Sequence, residues 1–511
     1  MASFDALILG ASLDGLVAGA FLAQAGLKCA IIERSEMLGG TFRDGDVVPE
    51  VRAPALRHDI ESFPADVSAQ LGLSRYGLSF VRSPGSVSIT PAGMFLAPND
   101  IDATLHAVTE GSKRDGEALA AMLAEFERLA QILRPALSEA PVHPFSNKGA
   151  ALRLLRTGGG IDLIDSLAAS ASDYLEQRLE SPTLREHLAL EALALTGLSP
   201  NERGTAFLLA FATARRRLLG QGLKPEGGAK ALIDALLQAF AGGGGELLTG
   251  RDALTIVVRG GRVRGVALTT GDTIHSRYVF SSLDLRRTFL TLLDAASLPP
   301  PLAEGVRRYR TRGHIAKVAL ALEGQPSFTD MPRDFLGGQI MISPGMNTIA
   351  TQLREAREGM VPVRPWLDIR VAGAANKRNL VSVLVHGVPY QPNGGWTTGR
   401  QEELIGGVLH MLEEAAPGLA AKVTSARLAS PQDFETEYRL SGGDLMGGAY
   451  IPSQLLWNRP LPEVSEYAMP AEGLYLCGGS VHPGGMMPGQ NGANAARTLL
   501  TKLGKPGGTR G

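Results

Sequence analysis

The stretch from Asp5 to Arg34, DALILGASLDGLVAGAFLAQAGLKCAIIER, narrows the choice of fold more than any other part of the chain. ALILG reads as a short buried strand and KCAIIER as a second one. Between them DGLVAGAFLAQAG places apolar residues at helical spacing and stops at Gly26. Strand, glycine turn, helix and strand make a βαβ unit, the setting in which a glycine pattern acquires meaning. Gly10, Ser12 and Gly15 stand where a dinucleotide-binding turn carries its three glycines. Small residues are needed there because the backbone must come close to a pyrophosphate at a helix N-terminus. Serine in the middle position crowds that approach, yet its hydroxyl can bond a phosphate oxygen, so it reads as a tolerated variant. Glu33 ends the second strand, where an acidic side chain can accept the ribose hydroxyls. The turn by itself suits NAD and FAD alike, and the plainer alternative is a buried turn without a nucleotide.

The 511 residues exceed what one core usually organises, so two domains are expected. Apolar residues make up 44% and the formal net charge is −1, which fits a folded chain. Such a balance offers no surface for a polyanion, and nucleic acid is not an expected partner. Cys29 and Cys477 sit in separate apolar runs, which excludes a disulfide framework and suggests buried, inert thiols. No ligands at metal spacing accompany them, and no metal is expected. No apolar run reaches membrane-spanning length. The first one follows Asp5 and contains Asp14 with no basic region ahead of it, unlike a secretory signal. A cytoplasmic or organelle-matrix location is expected.

From about residue 100 to 220 the chain reads as mainly helical, the kind of insert that shapes a cavity or covers a sheet. Within it ALRLLRTGGGIDLIDSLAAS reads either as a helix docking peripherally on a membrane or, preferably, as a solvent-facing one. TIVVRGGRVRGVALTTGDTIHSRYVFSS reads as a β-meander with a hairpin at Gly260-Gly261. Strands and helices alternate again from about 312 to 440, and KPGGTRG closes the chain as a disordered tail. Just before it, GLYLCGGSVHPGGMMPGQNGANAARTLL runs from a buried strand through a glycine loop into a helix starting near Gly489. A helix start offers free amide donors to a group carrying partial negative charge. In a flavin enzyme that group is the pyrimidine edge of the ring; taken alone the segment is a plain strand-to-helix connection.

GASLDGLVAGAFLAQAGLKCAIIERSEMLGGT resembles the opening of the phytoene desaturase-like flavoproteins, within the wider amine oxidase superfamily. PEGGAKALIDAL, GRVRGVAL, SSLDLRRTFL and GLYLCGGSVHPGGMMPG follow in that family's order. The resemblance implies an α/β fold: a FAD-binding Rossmann-type (glutathione reductase-like) domain assembled from discontinuous segments, with an inserted α+β substrate domain. The FAD segments are expected at 1–98, 222–290 and 441–505. The substrate domain then has a helical part at 99–221 and a sheet with helices at 291–440, and 506–511 is tail. By the same resemblance non-covalent FAD has its pyrophosphate at Gly10, Ser12 and Gly15 and its adenosine ribose at Glu33. Arg34, Gly39 and Gly40 hold the rest of the dinucleotide, and Ala253 lies beside the adenine through its backbone. Gly478, Gly479, Met487 and Gly489 border the flavin end. Met486 departs from the family, where PGGGVPG is common, and its thioether narrows the space over the ring.

Three residues are catalytic candidates. Lys317 sits in GHIAKVALALEG, a strand otherwise apolar, where desolvation lowers a lysine's pKa and suits it to proton handling. The segment resembles the amine oxidase strand whose lysine holds a water near the flavin; the alternative is a snorkelling lysine at a strand edge. His58, in ALRHDIESF, could take a proton while hydride leaves the substrate, with Arg57 fixing an anionic group or the flavin. The competing reading makes His58 and Asp59 a surface polar pair. His482 resembles the family's loop histidine, with loop fixing preferred over catalysis. Trp366, Trp396 and Trp457 are scattered, as core or rim residues are.

The expected function is that of a FAD-dependent oxidoreductase taking hydride from an activated C–H bond of an apolar, isoprenoid- or carotenoid-like substrate, as a desaturase, saturase or isomerase. Electrons would pass to an acceptor such as quinone or oxygen. The alternatives are an amine oxidase, or a flavin-binding scaffold with little turnover.

Overall fold

The computed structural model describes residues 3–505 and 507, apart from 50, 59, 61, 139–166, 220–221, 295–296 and 374–377. The opening βαβ unit forms as its pattern dictates, with β1 (Ser3–Leu9), α1 (Leu13–Gln24) and β2 (Cys29–Ile32). β1 and β2 pair in parallel, and their near-continuous apolar runs are buried on both faces. β9 (Glu246–Leu248) lies beyond β2. The meander supplies β10 (Ala253–Arg259), β11 (Arg262–Leu268) and β12 (Thr273–Ser281), turning at Gly260 and Gly261, both at positive φ. β12 pairs with β11 at its start and with both β1 and the late strand β18 (Leu474–Leu476) toward its end. This first sheet therefore collects strands from three distant parts of the chain, in the order β10-β11-β12-β1-β2-β9 with β18 alongside β12. Helices α1, α5 (Gly228–Gly242) and α7 (Gln490–Lys502) share its core.

The second sheet runs β17-β13-β16-β15-β14-β6-β7. Its strands are β6 (Gly85–Thr90), β7 (Gly93–Pro98), β13 (Ile315–Glu323), β14 (Gln339–Ile342), β15 (Trp366–Gly373), β16 (Arg378–His386) and β17 (Val423–Ala429). Residues 85–98, expected within the first FAD segment, thus belong to this other sheet, because β6 pairs with β14 in parallel. Two ribbons complete the strands: β3 (Asp44–Val48) with β4 (Val51–Pro54), and β5 (Phe80–Arg82) with β8 (Leu223–Pro225).

The two faces of the second sheet differ in chemistry. Val318, Leu320, Ile340, Leu367, Ile369, Val381, Val383 and Val385 form one face, an apolar layer packed on α6 (Thr398–Ala415) through Leu404, Val408 and Leu412. Side chains alternate along each strand, so the partners in register on the other face are Ile315, Trp366 and His386, then Lys317, Asp368 and Leu384, then Arg370 and Ser382. A second apolar cluster covers that polar face. It joins Ile315, Trp366 and Leu384 to the helices α2 (Lys113–Ser138), α3 (Pro182–Leu193) and α4 (Ala206–Leu218). Most of the 151–170 stretch and of the tail lies outside the described residues, and no described helix is long and apolar enough to cross a membrane.

α7 closes the fold by packing on α1, and Gly492 allows the approach: a Cβ there would collide with the carbonyl oxygen of Asp14. Gly492→Ala is expected to cost about 1–3 kcal/mol by forcing the helices apart. Denaturant unfolding reads this as a lower midpoint at unchanged slope, and a midpoint equal to that of the unaltered protein would show that the helices have room to move.

Candidate functional site

A cleft of about 1290 Å³, counted out to bulk solvent, lies at the carboxyl ends of β1, β2 and β12, where Leu9, Ile32 and Ser282 reach its wall. Open parallel sheets place ligands in this position. Gly10, Ser12, Glu33, Arg34, Gly39, Gly40, Ala253 and Gly479 line it, as does Arg57. The front turn and the closing loop, over 460 residues apart, therefore face one space.

Ser12 fits the turn for a local reason. Its φ is −67°, open to any residue, and its Oγ accepts the Gly15 N–H at 3.2 Å as the N-cap of α1. The hydroxyl proton stays available to an acceptor in the cleft. Room for the extra Cβ comes from Gly40, where a side chain would stand 2.9 Å from the Ser12 Cβ. Gly39 ties the second glycine loop to the first through its N–H to the Ala11 carbonyl, at 2.8 Å. Glu33 is held by two amides, accepting from Ala11 at 2.8 Å and Ser35 at 2.9 Å, so its carboxylate is fixed at the cleft edge.

The outer half of the cleft is basic. Arg34 donates to the Glu437 carbonyl, and burial, then its neighbours Arg439 and Arg43, hold its pKa below the usual arginine value. Arg439 pairs with Asp252 at 2.8 Å, and the Arg43 guanidinium lies 4.1 Å from the Tyr438 ring centroid. Arg43 Nε is buried with no hydrogen-bond partner among the described residues.

One carboxylate joins the two ends of the chain. Asp14, in the first turn of α1 and 7% exposed, accepts from the amides of Gly489 at 2.7 Å and Gly492 at 3.4 Å, and from Asn491 Nδ2 at 3.1 Å. It thus serves the N-terminus of α7 while sitting at that of α1, where a negative charge is favoured. Burial nevertheless raises its pKa to about 6, against those hydrogen bonds and Arg57, which lower it.

Behind the cleft wall lies a buried polar network on the second sheet. Arg57 donates to the Gly485 carbonyl at 2.8 Å and stacks over Phe42. Burial lowers its pKa to about 10, which leaves it cationic at neutral pH. Lys317, 3% exposed, places Nζ 3.4 Å from the Arg57 carbonyl and 3.5 Å from His58 Nδ1. His58 is buried as well, which removes the surface-pair reading. Its Nε2 lies 2.9 Å from the Asp368 carbonyl and its Nδ1 3.1 Å from Ser382 Oγ. A carbonyl only accepts, so Nε2 carries the proton. Burial, then Lys317 and Arg370, hold the His58 pKa well below the usual value, and the ring is neutral.

Other expected site residues lie beneath the wall instead of lining it. Gly15 and Gly478 pack against backbone, Gly489 caps α7 beside Phe63, and Met486 and Met487 are buried in the second cluster. His482 fixes its loop, with Nε2 2.8 Å from the Ala136 carbonyl and its own carbonyl accepting from Tyr467 Oη. Both cysteines are buried and burial raises both pKa values, to about 12 for Cys29. Sequence reasoning does not reach Arg43, Arg459 or the bridging role of Asp14. Arg459 is fully buried and donates to the carbonyls of Met446 and Gly479, holding the closing loop. Asp14 carries a signal, an acid in the first turn of an otherwise apolar helix; Arg459 carries none.

The family model described as flavin containing amine oxidoreductase matches residues 15–500. Pyridine nucleotide-disulfide oxidoreductase domain-containing protein 2 of Mus musculus is 27% identical, over 98% of this chain and 94% of its own length. A limonene dehydrogenase component of Castellaniella defragrans is 23% identical over 98% and 95%. Phytoene desaturase (lycopene-forming) of a Paracoccus strain is 22% identical over 70% of each chain. Among solved structures, an oxidoreductase from Methanosarcina mazei superposes with a TM-score of 0.64 at 15% identity, covering 97% of this chain and all of that one.

The raised Asp14 pKa has a definite sign. Between about pH 4 and pH 6 the folded state keeps a proton that the unfolded chain gives up, so the stability contributed is full below that window and lost as pH rises through it. Against Asp14→Asn, the stability advantage of the unaltered protein should shrink by roughly 2–3 kcal/mol from pH 4 to pH 6. Paired denaturant titrations measure it, and a difference independent of pH would contradict the assignment.

Proposed function

The chain belongs to the flavin containing amine oxidoreductase family, an FAD-dependent oxidoreductase, and from that premise we propose that it removes hydride from an activated C–H bond of an apolar, isoprenoid-like substrate. The residues of the cleft fit the cofactor. At Gly10 the turn leaves no room for a side chain, since a Cβ there would stand 2.7 Å from Ser282 Oγ, and Arg43 Nε is a buried donor at the wall with no partner among the described residues. Gly10, Ser12, Gly39 and Gly40 would hold the pyrophosphate, Glu33 the ribose, and Gly479 with Gly485 the flavin end. Bound there, FAD supplies a two-electron acceptor for hydride.

The observation that carries the substrate class is the apolar cluster that runs from Trp366 and Leu384 on the second sheet through Tyr450 to Met486 and Met487 at the closing loop. These side chains pack on one another and keep water from the flavin end, the dry setting that hydride transfer from a hydrocarbon needs. Two relatives are named for limonene and phytoene, both isoprenoid hydrocarbons. The charged groups that line the cleft are of both signs, Arg57 against the buried Asp14 and Asp444, so charge by itself does not select an amine donor. A desaturation releases hydride and a proton as the double bond forms. As the neutral amine, Lys317 Nζ takes up that proton, His58 Nδ1 accepts an Nζ–H and positions it, and Arg57 steadies the closing loop. The electron pair leaves to a quinone or to oxygen.

Anaerobic mixing of FAD-loaded protein with limonene, phytoene or putrescine tests the reading by bleaching of the flavin spectrum. Bleaching by an isoprenoid and not by the amine is expected, the reverse pattern would make the protein an amine oxidase, and no bleaching by any donor would favour a scaffold. Glu33→Ala should weaken FAD retention about tenfold, since the ribose hydroxyls lose a charged acceptor; undiminished occupancy after dialysis would refute that role. Lys317→Met should leave the spectrum intact and slow flavin reduction or reoxidation by roughly a hundredfold, and unchanged stopped-flow rates would remove Lys317 from the chemistry.

A further inference from the structure

A short connection runs from the second sheet to the mouth of the cleft. β17 leads into the helix Pro431–Tyr438, seated on the second apolar cluster by the fully buried Phe434. Tyr438, Arg439 and Leu440 at its end line the cleft. Tyr438 and Leu440 also pack on the second cluster, and residues 437–441 contribute nothing to the apolar core of the first sheet. What joins them to that sheet is polar. Arg34, just past β2, donates to the Glu437 carbonyl, and the Arg43 guanidinium lies over the Tyr438 ring. Arg439 reaches Asp252, just before β10, at 2.8 Å. Ser441 donates to Asp284, past β12, from its amide at 3.1 Å and its hydroxyl at 2.8 Å.

The charges around this segment do not balance. Across the cleft six arginines meet five carboxylates, and the excess lies at the outer end, where Arg34, Arg43, Arg251, Arg287 and Arg439 stand against Glu33, Asp252 and Asp284. Burial first, and then the nearby Arg439, lowers the pKa of both Arg34 and Arg287, so like charges crowd one another here. The pair that holds Arg439 is partly exposed, and such pairs contribute only about 0–1 kcal/mol. An excess of positive charge resting on weak polar contacts is settled by an anion. The pyrophosphate of FAD supplies one, since the glycine turn that takes this group lines the same cleft.

We propose that residues 437–441 form a latch over the cofactor that the pyrophosphate draws shut. Its negative charge offsets the repulsion among the arginines, and the segment then closes the adenosine half of the cleft. FAD leaves only when these polar contacts exchange for water and the segment lifts, an opening that leaves the core of the first sheet undisturbed. This rests on the reading of the cleft as the FAD site and is independent of the substrate.

The test starts from FAD-loaded protein, with amide hydrogen exchange over residues 437–443 read by mass spectrometry and β1 as the internal reference. The protein is kept in FAD or transferred into excess ADP or excess riboflavin. ADP carries the charged phosphates without the ring, and riboflavin the ring without the phosphates. The segment should exchange equally slowly in FAD and in ADP, and about tenfold faster in riboflavin with β1 unchanged. Arg439→Gln should speed both exchange in the segment and FAD release by roughly fivefold, and Arg439→Lys, which keeps the charge, should restore most of both. Riboflavin that protects the segment as well as ADP does overturns the proposal, as does FAD release that stays unchanged while the segment exchanges faster. If β1 loosens as well in riboflavin, the Arg439 variants, measured in FAD alone, decide. A purified chain that takes up neither FAD nor ADP would defeat the cofactor reading itself and the latch with it.

Discussion

The carboxylate of Asp14 is the contact on which the arrangement of this protein most depends. It sits in the first turn of the first helix and accepts amides from the start of the last one, so two helix N-termini meet on one negative charge. Each such terminus exposes donors and a partial positive charge. Brought together without a carboxylate they would repel, and their amides would be buried unpaired. With it, the front turn and the closing glycine loop become two walls of one cleft. Burying the charge is unfavourable by itself, which the elevated pKa of Asp14 records. Three hydrogen bonds and the nearby Arg57 offset that cost.

A second constraint follows from the pleat of the substrate-side sheet. One face of β13, β15 and β16 is uniformly aliphatic and is buried by a helix. The alternate residues on the same strands are Lys317, Asp368, Arg370, Ser382 and His386, with Trp366 beside them. A polar face can remain buried only if its groups pair with each other or with a ligand. The lower rows do pair, around His58. The side-chain nitrogens of Trp366 and His386 in the top row find no partner among the described residues. The same sheet therefore stabilises the fold with one side and offers chemistry with the other.

Several parts of this are legible along the chain. The βαβ opening, the Gly260-Gly261 hairpin and the helix after Gly489 all form at the expected places, because each is set by neighbouring residues through periodicity, turn chemistry and capping. Ser12 reads as tolerable from its chemistry, but the reason lies in Gly40, whose missing side chain makes the room. His58 reads as a surface residue as readily as a buried one, because local pattern does not reveal which strand covers it. Arg459 lies in a run of prolines and leucines with nothing to distinguish it, yet its guanidinium holds the closing loop from a distant segment.

By itself the sequence determined the local elements, the dinucleotide turn and the family, since backbone preferences and short-range spacing are written in consecutive residues. Tertiary structure alone decided that residues 85–98 join the second sheet, that Asp14 links both ends of the chain, and that His314, Trp366 and His386 share one buried spot. Those outcomes depend on strand register and burial between segments tens to hundreds of residues apart. The free energy of a buried polar group is set by whatever it finally meets, and a linear pattern does not carry that information.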